Sequence, residues 1–291
     1  MAFWAANFIV VKAANEQIPP ITFAFLRFGI AALTLVALLP LREGRLGLPR
    51  RDVLPIIGLG ALGFGVYQIL WATALQDIPA GDSALLIATT PVLTALLAVV
   101  SGADTLTRTK LLGSLVSFAG VAVIVSAGHG ITLGSALVGD ALTLIAALCW
   151  SIYTAFGAPI LRRHSPLRTT AWAMVGGALV LAIPGAWQAV GVDWTGVGVD
   201  AWGGLLFSAF IPAGIANVVV FNAIRLLGPT RITAYQFLVP FMAVLMGAAF
   251  LAEPVRIDQL LGGVVIVLGV AIARTDRVTA FGGWLRERRA G

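Results

Sequence analysis

Eight side chains carry most of the chemistry this sequence offers: Trp4, Asn7, Tyr67, Gln68, Trp150, Tyr153, Asn217 and Gln236. All are uncharged, all can donate a hydrogen bond, and all fall inside apolar stretches where an unpaired polar group is costly. Asn222 and Tyr235 share that setting. Any one of them could simply bridge two helices, because interhelical hydrogen bonds also hold bundles together. As a set they predict a wet path, with ring faces for an apolar body and amides for a polar end.

Charge is scarcer in these stretches. Arg27 lies about seven residues, or ~10 Å, inside one of them. A guanidinium does not deprotonate, so it must snorkel outward, pair with Glu16, or meet a ligand carboxylate. Lys12, near the end of its own stretch, reads as a snorkelling cation or a second charge contact. Asp140 follows a glycine and reads as a helix N-cap. The remaining carboxylates sit in connections or at span ends, and His129 and His164 fall in connections, so no membrane-embedded proton relay is expected.

Reactive constellations are missing. There is no Walker sequence, no His-Glu zinc motif and no G-x-S-x-G, which disfavours an ATP-driven pump or an intramembrane enzyme. The single cysteine, Cys149, excludes an intrachain disulfide and a cysteine metal cage. "GLGALG" at 58–63 satisfies G-x-G-x-x-G, but it lies within an apolar run with no strand before it and is a chance match. Neither a metal nor a cofactor is expected.

The elements that must hold these residues are membrane helices. The chain is 59% hydrophobic and 11% charged, with a mean hydropathy of +0.97, against roughly 25% charged in a soluble domain. So few charges cannot coat a soluble core of 291 residues. Apolar runs fall at 1–14, 19–40, 53–76, 80–102, 109–127, 140–160, 166–190, 201–225, 229–251 and 256–274. Runs of this length without strict alternation are helices rather than barrel strands. The first is only about 21 Å long as a helix, so either the native start lies upstream or this helix begins deep in the membrane.

The formal charge of +6 does not point to nucleic acid, because the basic residues form no stripe or patch. All but Lys12, Arg27 and Arg256 lie in alternate connections and the tail, while Glu16, Asp77, Asp82, Asp193, Asp200, Glu253 and Asp258 occupy the others. The positive-inside rule then predicts two cytoplasmic termini. The tail "FGGWLRERRAG" reads as a cytoplasmic interfacial anchor. Trp187, Trp194 and Trp202 fit an interfacial belt, but Trp4 and Trp150 fall near mid-depth.

A shift of 149 residues aligns Gly65 with Gly214, Pro91 with Pro240, Asp104 with Glu253 and Gly120 with Gly269, and a shift of 146 aligns Trp4 with Trp150 and Pro20 with Pro166. The chain is a doubled five-helix unit, 1–127 and 128–275, followed by the tail at 276–291. Five is odd, so the second copy enters from the opposite side: ten transmembrane helices as two inverted-topology repeats, an arrangement many secondary transporters share. Trp4 and Trp150 are then expected to face each other across a central cavity, unless each is simply buried with a partner for its indole N–H. Pro91, in "IATTPVLTALL", and Pro240, in "QFLVPFMAVLM", sit near the midplane in equivalent helices. Each frees the carbonyl four residues back, at Ile87 and Gln236. They read as hinges beside a site or as kinks satisfied by nearby hydroxyls. Gly113, Gly120, Gly262, Gly263 and Gly269 are expected to let the fifth and tenth spans pack closely.

With those residues in view, the chain resembles the EamA-type transporters of the drug/metabolite transporter superfamily. "WAANFIVVKAANEQIPPITFAFLRFGIAAL" looks like the signature of that family's first two spans, and "GDALTLIAALCWSIYTAF" looks like the start of its second repeat. Within the family it is similar to the YddG-type aromatic amino-acid exporters. The resemblance implies a secondary transporter that exports amino acids, aromatic or neutral, across a bacterial inner membrane by alternating access. The missing proton relay makes facilitated transport the expectation. Broad drug or metabolite efflux is the runner-up, and a membrane assembly subunit a more distant reading. The expected partners are a small-molecule substrate and the bilayer; monomer and homodimer both fit.

Overall fold

The computed structural model describes residues 2–44, 46–100, 107–129, 135–161, 163–227, 238–252 and 254–272, and every regular element among them is helical. The first span is Ala2–Ala14 and the second Pro20–Glu43. Arg50–Asp77 is the third, and Ala80–Ile87 with Thr90–Val100 forms the fourth. Arg108–His129, Ser135–Leu161 and Pro166–Ala189 follow. The eighth runs over 199–227, the ninth is Leu238–Leu251 and the tenth Ile257–Ile272. Large apolar side chains stand exposed around the bundle, among them Leu33, Ile183 and Phe250, as a lipid-facing surface requires. The protein is a multi-pass membrane protein of two five-helix repeats.

Local chemistry explains where several helices start and stop. Pro20 and Pro166 occupy the first helical position, where a missing N–H does no harm. The second helix ends at Gly44, whose φ of 68° is the left-handed conformation glycine adopts freely and whose N–H bonds to Pro40 O at 3.1 Å. Asp140 lies inside a helix that begins at Ser135, so the N-cap reading of this residue is wrong. The sequence placed that start at the first clear apolar residue, one turn and more too late.

The fourth span is broken ahead of Pro91. Helix ends at Ile87 and resumes at Thr90, and the last two carbonyls of the first piece are taken by hydroxyls: Thr89 Oγ1 donates to Leu86 O at 2.7 Å and Thr90 Oγ1 to Ile87 O at 2.6 Å. Pro91 is thereby the second residue of a new helix rather than an interior breaker. Pro240 is the third residue of Leu238–Leu251. The side chains of both prolines, all of Gln236 and Tyr235, and the tail lie outside the described residues.

Close packing rests on small residues. A Cβ on Gly60 would overlap the Ala173 carbonyl and one on Gly176 the Ile57 carbonyl, so the third and seventh spans cross with backbones in contact. The fifth and tenth spans do the same, as expected: a Cβ on Gly120 would stand 2.7 Å from the Gly262 carbonyl, and Ser117 Oγ donates to Ile266 O at 3.1 Å.

Among the described residues, the polar links between span ends obey one parity. Gln17, after the first span, meets Asp200, in the first turn of the eighth, at 3.0 Å. Gln188, at the end of the seventh, accepts the Ile21 and Thr22 amides at the start of the second. Gln259, in the tenth, donates to Asp82, in the fourth, at 2.7 Å. These define an odd side. On the even side, Arg163 and His164, after the sixth span, reach Asp52, in the first turn of the third, at 3.1 and 2.8 Å. Arg168 pairs there with Glu43 at 2.6 Å. Repeat-related junctions thus lie at opposite ends, which is what inversion of one repeat against the other requires.

Candidate functional site

Between the two repeats lies a cavity of about 130 Å³, roughly ten times what a single water needs. Six of the eight uncharged candidates line it: Trp4 and Asn7 from the first span, Tyr67 and Gln68 from the third, Trp150 from the sixth and Asn217 from the eighth. Trp4 and Trp150, repeat partners, contribute to the same wall system rather than facing lipid. Tyr153 stands one layer behind, fully packed, with its ring 5.3 Å from Trp150 and 5.0 Å from Phe64.

The third and eighth spans bring Gln68 and Asn217 into the cavity by the same device. Each span carries a π-helical stretch, Ala61–Val66 and Ala209–Ala216, at equivalent positions of the repeats. Such a stretch widens a turn and rotates the residues beyond it, and Tyr67, Gln68 and Asn217 come directly after these two. In the eighth span the widened turn holds Pro212, whose carbonyl accepts both the Trp4 indole N–H (3.3 Å) and the Asn217 amide (3.0 Å). Asn217 also donates to Ala213 O at 3.0 Å. Asn7 Oδ1 accepts from Ser208 Oγ at 2.6 Å. Several of the polar groups on this side of the cavity are thus already engaged with the protein.

Reasoning from sequence missed part of the aromatic wall. Trp71 stacks on Tyr67 with ring centroids 6.1 Å apart and planes 13° off parallel. Phe8 meets Trp71 edge-on at 5.0 Å, and the Trp71 indole donates to Ser83 Oγ at 3.2 Å. Phe28 and Phe64 line the cavity too. Trp71 was legible in principle, since it stands four residues after Tyr67 on the same helix face. Phe64 lies in the π-helical stretch, where 3.6-residue spacing no longer reports the face.

The two cations part company. Lys12 is not among the lining residues; its Nζ donates to Ile78 O at 2.9 Å, the carbonyl directly after the third helix, where a cation suits the helix dipole. Arg27 does line the cavity, is only 5% exposed, and has Phe28 against its Cζ at 4.8 Å. It neither snorkels nor pairs with Glu16, which is exposed. No aspartate, glutamate or histidine lines the cavity among the described residues, and no group of His, Cys, Asp and Glu there could hold a metal ion.

Known proteins match this chain in sequence and in fold. The sequence profile of the EamA-like transporter family matches residues 1–126 and 137–275. A probable terminal-alkyne amino-acid exporter of Streptantibioticus cattleyicolor is 32% identical over 281 residues, covering 93% of this chain and 92% of its own. The transporter YyaM of Bacillus subtilis is 27% identical over 274 residues, covering 93% and 90%. A crystal structure sharing 18% identity superposes with a TM-score of 0.68 over 93% of this chain and 92% of the other, which establishes a common fold.

Proposed function

The chain belongs to the EamA-like transporter family, is a transporter and not an enzyme, and from that premise we propose that it exports amino acids, neutral and foremost aromatic, across a bacterial inner membrane. The observation that carries this reading is the cavity itself: a cage of Trp4, Trp150, Tyr67 and Trp71 rings with Asn7, Gln68 and Asn217 amides at the meeting of two inverted repeats. Rings receive an apolar or aromatic side chain, amides orient the polar end, and Gln236 belongs to the same amide set. The amino-acid exporter among the relatives supports the substrate class. Pro91 and Pro240 act as hinges about which each half rocks, exposing the cavity to one side and then the other. The arginine-rich even side is cytoplasmic, as are both termini. With no titratable carboxylate or histidine on the cavity wall among the described residues, flux follows the substrate gradient rather than a proton gradient.

The test is counterflow in proteoliposomes with amino acids, purines and cationic dyes. Labelled phenylalanine or tryptophan is expected to exchange, and to keep exchanging when the pH gradient alone is collapsed. Trp4→Ala and Trp150→Ala should each weaken exchange about tenfold or more while the protein stays monodisperse. Exchange of dyes or purines without amino acids would refute the reading.

A further inference from the structure

The cavity contains one charge that the other described residues leave unanswered. Arg27 Nε and Nη1 are buried, and neither has a hydrogen-bond partner among the described residues. The ionisable group within electrostatic reach is the Tyr67 phenol, not a carboxylate. The Phe28 ring at 4.8 Å offers its π face, which attracts the cation but accepts no N–H in the guanidinium plane. A guanidinium keeps its proton and presents a planar fork of donors matched to a carboxylate. Buried without an acceptor, such a fork is complete only when something occupies the cavity with it.

The neighbouring polar groups narrow what that something is. The Trp4 N–H, the Asn217 amide and the Asn7 carbonyl oxygen already have protein partners. The donors left over on the described cavity wall are Arg27, Gln68, the Tyr67 hydroxyl, the Asn7 amide nitrogen and the Trp150 indole N–H, of which only Arg27 is charged. Among the described residues no carboxylate stands opposite them to receive an ammonium. The described wall therefore carries a single positive charge, flanked by rings.

We propose that Arg27 is the receptor for a ligand carboxylate, and that the cavity selects apolar or aromatic monocarboxylates for which an α-ammonium group is dispensable. The inference rests on the transport reading above for the identity of the cavity, and sharpens it: of the two charges on an amino acid, only the negative one is recognised by charge.

A matched set of probes decides it: L-phenylalanine, 3-phenylpropionate without the amine, and phenethylamine and phenylalaninamide without the carboxylate. Binding to the purified full-length protein is read by intrinsic tryptophan fluorescence, Trp71 and Trp150 lying on the wall. Phenylalanine and phenylpropionate are expected to bind within a few-fold of each other, and the two cationic probes about tenfold or more weaker. Arg27→Gln should abolish that preference and Arg27→Lys should keep part of it, with unchanged elution and helical circular dichroism showing that both variants fold. Should Arg27→Gln not fold, the charge preference of the wild-type protein and of Arg27→Lys still decides the matter. Cationic probes binding as well as the carboxylates, an undiminished preference in folded Arg27→Gln, or no binding by either carboxylate would overturn the proposal. Carboxylate-selective binding without liposome flux would instead sink the transport reading and leave Arg27's role standing.

Discussion

On the odd side, the connection after the first span meets the start of the eighth through a neutral amide rather than an ion pair: Gln17 donates to the Asp200 carboxylate and accepts from the Gly198 amide. On the even side the repeat-related junction is ionic, with Arg163 in the place of Gln17 and Asp52 in the place of Asp200, and His164 added at 2.8 Å. The helix starts differ in the same sense. Pro19 cannot cap the second span, so Gln188 supplies the acceptor from the end of the seventh. Ser165 caps its own helix through Arg168 N, and its hydroxyl and the Arg168 guanidinium both engage Glu43. One architectural joint is thus built twice, once from amides and once from charges. At this joint the two faces are therefore held by forces of different sensitivity to salt, although the odd face carries an ion pair elsewhere, Arg256 with Asp82 at 3.6 Å.

Mutations at equivalent places should separate the two faces. Arg168→Ala leaves Glu43 without its buried partner and should destabilise by about 2–3 kcal/mol, read as a lowered Tm in one detergent, with Arg168→Lys recovering part of it. A loss no larger than that of an odd-side variant would break the comparison. Gln188→Ala removes the acceptor for two orphan amides and should cost about 1 kcal/mol, the usual contribution of a helix cap. Gln17→Ala, at an exposed contact, should cost ~0.5 kcal/mol or less. The smallest effect belongs to the odd-side loop turn at Asp193, whose carboxyl is held below its ordinary range chiefly by the Thr195 hydroxyl, with the Thr195 amide adding to it. A depressed carboxylate contributes stability above its unfolded pKa of about 4 and loses it as pH falls through the lower folded value. Thr195→Val should flatten that acid dependence by lowering the neutral-pH Tm slightly while leaving the Tm at strongly acid pH where it was.

The candidate site was partly readable from the chain. Trp4, Asn7, Tyr67, Gln68, Trp150 and Asn217 announce themselves because amides and mid-depth indoles are anomalous among Leu, Val and Ala. Trp71 is marked only by its place four residues after Tyr67, and nothing else in its local sequence separates a wall position from a core one. The π-helical stretches have no composition of their own; in the first, Gly63 and Gly65 let neighbouring helices press in, a Cβ on Gly63 meeting the Tyr153 ring at 2.6 Å and one on Gly65 meeting Val180 at 2.7 Å. Arg27 shows the limit most sharply. Its three sequence-level options differ only in where the side chain points, and burial with no acidic neighbour among the described residues depends on which helices surround the second span. The proline at 91 was legible as a break but not as a satisfied one, because Thr89 and Thr90 could as well have faced lipid.

What the sequence determined by itself is the solvent and the topology: apolar length obliges helices to cross a bilayer, and an odd number of spans per copy obliges the copies to oppose each other. Those conclusions rest on additive, local quantities, the hydropathy and the count. Only the tertiary structure decided which polar groups give their hydrogen bonds to the protein and which have no partner among the described residues. That is a matter of partners far apart in the chain, such as Trp4 with Pro212 and Asn7 with Ser208, and no local pattern records them.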